Sequence, residues 1–305
     1  MPFDSEILLK TDLPLPLFIR GKVRDTYDLG EHLLIITTDR ISAFDVILPC
    51  GIPEKGKILN QMSIFWMENT SHVIPNHLVA SVDDVSILDD FLPPAKRFQY
   101  PEYLKGRSVI VKKAERIAVE CVVRGYLAGS GWSEYQQQGS ICSVEIIPGL
   151  LESQQLPQPV FTPTTKADEG HDMPIDYATL ENTVGKKTAC SLKQKSIELY
   201  NHALKYASTH GFIIADTKFE FGIYDGKLIV IDEMLTPDSS RFWDKNTYKV
   251  GQPQDSFDKQ PIRDWLSRSG WNKIPPGPVL PDDVINTASK RYRMAYEKIT
   301  SRTFR

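Results

Sequence analysis

The sequence predicts a mixed α+β fold in two lobes built on antiparallel sheets, and three observations predict it. The 305 residues are enough for about two domains with a substantial core. Residues 213–241, IIADTKFEFGIYDGKLIVIDEMLTPDSSR, hold two β-branched and aromatic runs around Tyr224-Asp225-Gly226-Lys227, the pattern of a hairpin. Two further strand-like runs, 108–113 and 117–123, are joined by the short connection Ala114-Glu115-Arg116, with a mixed region on either side. Such a connection suits a hinge, whose backbone N–H and C=O groups can read a flat heterocycle.

The elements follow in order. Leu13-Pro14-Leu15-Pro16 stops any early helix. Residues 21–38 read as strand, turn and strand, opening on Gly21-Lys22-Val23-Arg24. Two cations beside a glycine can wrap phosphates with backbone N–H groups, although a plain hairpin explains Gly21 as well. Thr38-Asp39-Arg40-Ile41-Ser42-Ala43-Phe44-Asp45 is a polar cluster at a strand end, suited to ligand groups or to capping of a following turn. Residues 56–70 carry Ile58, Leu59, Met62, Phe65 and Trp66 at helical spacing, so their apolar face is core.

Arg124-Gly125-Tyr126-Leu127-Ala128-Gly129-Ser130 offers glycines for close backbone approach and two donors for a phosphate; a Gly-rich turn with a surface arginine is the plainer reading. Residues 151–163 are Gln- and Pro-rich without periodicity and read as an excursion or loop, leading to Lys166, Asp168, Glu169, His171 and Asp172. A long helix spans 187–210, stopped by Gly211. Helices near 256–267 and 282–301 are expected to brace the second lobe. The domain division expected is therefore 1–113, 114–254 and 255–305.

The hairpin's register decides whether its charges converge. A two-residue loop pairs Ile223 with Leu228 and sends Asp232 to the face opposite Glu220. A three-residue loop, with Gly226 left-handed as a bulge, gathers Asp216, Lys218, Glu220 and Asp232 on one face. The bulged loop is the expectation, because carboxylates sharing a face repel unless a cation or Lys218 sits among them. An ordinary solvated sheet face is the alternative.

With 36 Lys and Arg against 39 Asp and Glu, the net charge of -3 gives no general pull toward nucleic acid or anionic membrane. Cys50, Cys121, Cys142 and Cys190 are scattered and form no CxxC, and residues 1–10 lack the pattern of a signal peptide. A cytoplasmic protein with reduced thiols is expected.

Glu120-Cys-Val-Val-Arg124-Gly-Tyr-Leu-Ala-Gly129-Ser130, Asp216-Thr-Lys218-Phe-Glu220-Phe-Gly222 and Asp232-Glu-Met-Leu-Thr-Pro-Asp238-Ser-Ser-Arg241 together resemble the phosphoribosylaminoimidazole-succinocarboxamide synthase (SAICAR synthetase) family. The likeness runs from Gly21 to about Trp243, and length and the Gln/Pro stretch resemble its fungal, single-function form. The resemblance implies a purine-biosynthetic ligase that uses ATP and Mg²⁺ to join L-aspartate to the carboxylate of the imidazole nucleotide CAIR, giving SAICAR, ADP and phosphate. It implies lobes resembling those of protein kinases and ATP-grasp ligases, with nucleotide in the cleft between them.

It also implies roles. Glu220 and Asp232 would hold Mg²⁺, and Lys218 beside them would neutralise developing charge, making these three the catalytic set. Gly21, Lys22, Val23 and Arg24 would cover the phosphates, and Lys113, Ala114 and Glu115 would read adenine. Arg124, Ser130 and Arg241 would bind the CAIR phosphate, with Asp39, Ser42 and Asp45 lining the cleft. Lys166, His171 and Arg40 are candidates for aspartate's carboxylates. Neither nucleic acid nor membrane is an expected partner, and a monomer is compatible with the sequence, which leaves oligomeric state open. The competing class is a kinase-like small-molecule phosphotransferase, against which stand the missing HRD-type loop and DFG motif.

Overall fold

Runs rich in Ile, Val and Leu near the start of the chain pair into one antiparallel sheet in the computed structural model, which describes residues 7–166 and 173–304. β1 (Leu17–Arg20), β2 (Arg24–Asp28) and β3 (His32–Thr37) form a meander. A small hairpin of β4 (Arg40–Ala43) and β5 (Val46–Gly51) follows, then helix α1 (Lys55–Asn69). β6 (Leu78–Ser81) and β7 (Ser108–Lys112) complete the sheet in the order β1-β2-β3-β7-β6. Tyr27, Leu34, Ile36, Leu104 and Ile110 form a buried core here, and α1 buries Ile58, Leu59, Met62 and Trp66, as their spacing requires.

The second sheet is larger. β8 (Glu115–Tyr126) is followed by α2 (Gly129–Gln138), the short pair β9 (Ser140–Ile141) and β10 (Val144–Glu145), and β11 (Gln155–Thr165). Helices α3 (Tyr177–Val184) and α4 (Lys186–Thr209) lead to β12 (Phe212–Tyr224), β13 (Lys227–Ile231) and β14 (Ser240–Asp244). The order is β11-β8-β12-β13, with β14 also paired to β12. Residues 155–163, expected within a loop, are strand, and the prolines explain how: β11 is an edge, so Pro157, Pro159 and Pro163 need not donate on its open side.

The hairpin expectation is corrected. Ile223 pairs with Leu228 and Tyr224 with Lys227, leaving the two-residue loop Asp225-Gly226 with φ of 50° and 71°. Both central residues are left-handed, the turn whose twist matches the flanking strands, so no bulge is needed. Glu220 consequently faces Ile231. Asp232, however, lies past the strand end with φ 65°, so strand alternation no longer dictates where its side chain goes.

Contacts divide the chain into two compact units, Met1–Met67 with His77–Lys113 and Asp258–Arg305, and Glu68–Asn76 with Ala114–Phe257. The C-terminal helices α5 (Gln260–Arg268) and α6 (Asp282–Thr300) therefore belong with the first unit, correcting the expectation that they brace the second. The reason is specific packing: Ser289 Oγ donates to the Pro53 carbonyl at 3.2 Å, Arg293 pairs with Glu54, and the Arg302 guanidinium lies over the Phe65 ring. Among the described residues no helix is long and apolar enough to cross a membrane.

Gly125 is fixed by packing. A Cβ there would lie 1.9 Å from the hydroxyl oxygen of Tyr200, which is fully buried on α4 and donates to the Ile214 carbonyl at 2.7 Å. Gly125→Ala is expected to cost about 3 kcal/mol, by overpacking and the strained hydrogen bond. A thermal or urea melt measures it; a melt matching wild type would refute the tight contact.

Candidate active site

Four charged side chains meet in the second sheet. Glu120 on β8 and Glu220 on β12 are direct cross-strand partners, with side chains only 8% and 12% exposed. Two carboxylates so placed repel in a poorly hydrated setting unless cations join them. Lys166, just past β11, pairs with Glu220 and lies 3.6 Å from Glu120 Oε1. Lys218 Nζ, two residues before Glu220, is 3.2 Å from Glu120 Oε2. Burial works against the Lys166 ammonium, but the charges of Glu220, Asp232 and Glu120 and the hydrogen bond to Glu220 outweigh it and raise its pKa above the usual lysine value. Asp232 thus acts on the same cation as Glu220 despite the register, because its left-handed backbone frees it from the strand.

A second group lies along the same strands. Arg124 on β8 and Arg241 on β14 both pair with Asp216, the Arg124 bond being 3.1 Å. Arg124 Nη2 also donates to Ser130 Oγ at 3.2 Å, and its Nε to Thr162 Oγ1 on β11 at 3.2 Å. Burial pushes the Arg124 pKa down, Asp216 opposes that shift and Arg241 adds to it. One carboxylate against two guanidinium groups leaves the trio net positive, with hydrogen-bond donors suited to a phosphate or carboxylate. The glycines of this stretch make room for the arginines: a Cβ on Gly129, whose φ is 52°, would lie 2.3 Å from Arg241 Nη2, and one on Gly131 would lie 3.0 Å from Arg124 Cδ. Arg241 is delivered by the loop 236–240, tied to β12 by Lys218 N to Ser239 O at 3.0 Å and by Thr217 Oγ1 to Ser240 Oγ at 2.7 Å.

In the first unit, the turn between β1 and β2 closes through Gly21 N to Arg24 O at 2.8 Å. Arg40 donates to the carbonyls of Gly21 and Lys22, both at 3.0 Å, and Thr38 N donates to that of Val23 at 3.0 Å. In a planar trans peptide the following N–H points away from the carbonyl, so the amides of Lys22 and Val23 turn outward from Arg40. Lys22 pairs with Asp45, which with Phe44 makes the left-handed turn between β4 and β5; Ser42 sits buried on β4. Lys113 Nζ reaches Asp28 at 2.7 Å, while Ala114 and Glu115 begin the second unit, Glu115 pairing with Ile223.

Two expectations are corrected. Asp39 is fully buried, accepting from Leu8 N and Gly56 N at 2.8 Å each and from Arg107 Nη1 at 3.0 Å. It caps α1 and anchors the fold instead of lining a site. Arg40 is likewise committed, to Asp25 Oδ1 at 2.8 Å and to the turn carbonyls, so it shapes the Gly21–Arg24 turn and is not a cation for aspartate. His171, Asp168, Glu169 and Asp172 lie outside the described residues. The sequence gives no role to Glu120 or Thr162, and it sets Asp216 with Lys218, Glu220 and Asp232, whereas Asp216 lies between the two arginines. The alternation of Glu120, Val122 and Arg124 along one strand was the available signal for the first.

Among the described residues no three His, Cys, Asp or Glu side chains gather as a metal cage. Glu220 offers hard oxygen donors to the Lys166 ammonium, and the charge of Asp232 also favours that cation. That donor chemistry fits an ion that keeps most of its waters and takes one or two carboxylates.

A family model described as SAICAR synthetase matches residues 17–278. Proteins named phosphoribosylaminoimidazole-succinocarboxamide synthase from Thermodesulfovibrio yellowstonii and Geobacter sulfurreducens are 50% and 49% identical, over 97% and 98% of this chain and 100% and 99% of their own lengths. Among solved structures, the SAICAR synthase of Saccharomyces cerevisiae complexed with SAICAR superposes with a TM-score of 0.88 at 42% identity, over 97% of this chain and 99% of that one. A SAICAR synthetase in complex with ADP, at 22% identity and a TM-score of 0.68 over 94% of this chain and 99% of its own, shares the fold.

Proposed function

Since the chain belongs to the SAICAR synthetase family, we propose that it is the ATP-dependent ligase joining L-aspartate to the carboxylate of CAIR, with the two charged groups of the second sheet as its working parts. The observation that carries this reading is their coexistence on adjacent strands: carboxylates gathered on a cation, and two arginines gathered on an anion position. A fungal origin finds no support in the bacterial relatives, although the yeast structure is similar. Four free cysteines suit a reducing cytoplasm, and a monomer is the oligomeric state put forward.

Arg124, Ser130 and Arg241 take the CAIR phosphate and fix the substrate's orientation. Glu220 and Asp232 would hold Mg²⁺, which would supply neutralisation of phosphate charge. Within the first unit, the outward amides of the Gly21–Arg24 turn are the groups suited to nucleotide phosphate; the backbone of 113–115 is the group suited to adenine. The CAIR carboxylate attacks the γ-phosphorus to give an acyl phosphate and ADP, with Lys218 stabilising charge as it develops. The amine of aspartate then attacks the acyl carbon and expels phosphate. Lys166 is the described residue proposed to attract the incoming carboxylates.

The test is ADP release from ATP, Mg²⁺ and CAIR, with and without L-aspartate. Multiple turnovers that require aspartate and yield the succinocarboxamide are expected. Steady ADP release indifferent to aspartate would favour a phosphotransferase.

A further inference from the structure

We infer that Lys166 is a built-in counter-ion that leaves Glu220 when a divalent cation arrives, and that Glu120 is the positioning residue that receives it. The inference rests on the metal role proposed for Glu220 and Asp232 and adds a part for two residues that role does not use.

The geometry is that of a cation shared unequally between two facing carboxylates. Glu120 and Glu220 are paired across β8 and β12, and Lys166 is bonded to Glu220 with Glu120 Oε1 only 3.6 Å away. Moving the ammonium from one carboxylate to the other takes a side-chain adjustment and no backbone movement. Lys218 straddles the Glu120 carboxylate, 3.2 Å from Oε2 and 3.4 Å from Oε1, and so holds it in place beside Lys166. Only a quarter of the Lys166 side chain is exposed, so an ammonium expelled from Glu220 with nowhere to go would be costly. Glu120, buried and carrying two lysine contacts, removes that cost. A metal ion thereby gains a pre-formed carboxylate position whose charge Lys166 offsets until it binds.

Mn²⁺ alone, titrated into the full chain without nucleotide and followed by the EPR signal of the free ion, tests this. Lys166→Gln is expected to tighten Mn²⁺ roughly tenfold by removing the competitor, and Glu120→Gln to weaken it by a similar factor. In the double variant the Glu120→Gln effect is expected to vanish, because its only route is through Lys166. Equal weakening by Glu120→Gln in both backgrounds would make Glu120 a ligand or a plain source of field and overturn the exchange. Weaker binding by Lys166→Gln would overturn it too, and this variant decides alone if Glu120→Gln does not fold. Glu220→Gln separates the premise: unchanged Mn²⁺ binding there would end the metal assignment itself, whereas lost binding with additive Glu120 and Lys166 effects would end only the exchange.

Discussion

Replacing Glu220 or Asp232 by alanine is expected to lower the rate of SAICAR formation by roughly 10²–10³-fold while leaving the fold in place. Loss of the Glu220 carboxylate leaves Lys166 within 3.6 Å of Glu120, so the sheet keeps a compensated charge. Asp232 lies outside β13 and contributes no ladder hydrogen bond to it by register. Activity and a circular-dichroism melt on the same preparations check both halves. Turnover near wild type in either variant would remove that residue from the metal site, and a collapsed melt would mean that the carboxylate serves the fold.

Asp39→Ala should behave in the opposite way, destabilising first and affecting turnover only as a consequence. Its carboxylate is fully buried and accepts from two backbone amides and from Arg107, whose side chain is 4% exposed. Truncation strands a buried guanidinium and opens the start of α1, a loss of about 3–5 kcal/mol. In a chain of this size that lowers the melting temperature by roughly 10 °C. An Asp39→Ala protein that melts like wild type but has a raised KM for CAIR would return Asp39 to the substrate site.

Elements set by local pattern were legible. The apolar spacing of 56–70 and 187–210 forecast α1 and α4 to within a residue or two, and the β-branched runs forecast β7, β8, β12 and β13. Lys218 and Glu220 on one face of β12, with Phe219 and Phe221 buried on the other, follow from the two-residue period. The Arg124, Ser130 and Arg241 grouping was visible as motifs, though the bridging of the two arginines by Asp216 and the support from Thr162 were not.

What the sequence by itself determined is the set of chemical groups and the strands that carry them, since side-chain alternation needs only neighbours along the chain. Tertiary structure alone decided which charges meet. Hairpin register placed Asp232 off the Glu220 face by pairing, and its left-handed backbone past the strand end releases it from that alternation. Asp39 and Arg40 look like site residues in the sequence, yet burial against Arg107, Asp25 and the turn carbonyls spends their charges on the fold. The C-terminal helices join the first unit through Pro53, Glu54 and Phe65, contacts more than 200 residues apart in sequence. Glu120 and Lys166 acquire meaning only when β8, β11 and β12 lie side by side, because the repulsion of two buried carboxylates, and the cation that relieves it, exist only across strands.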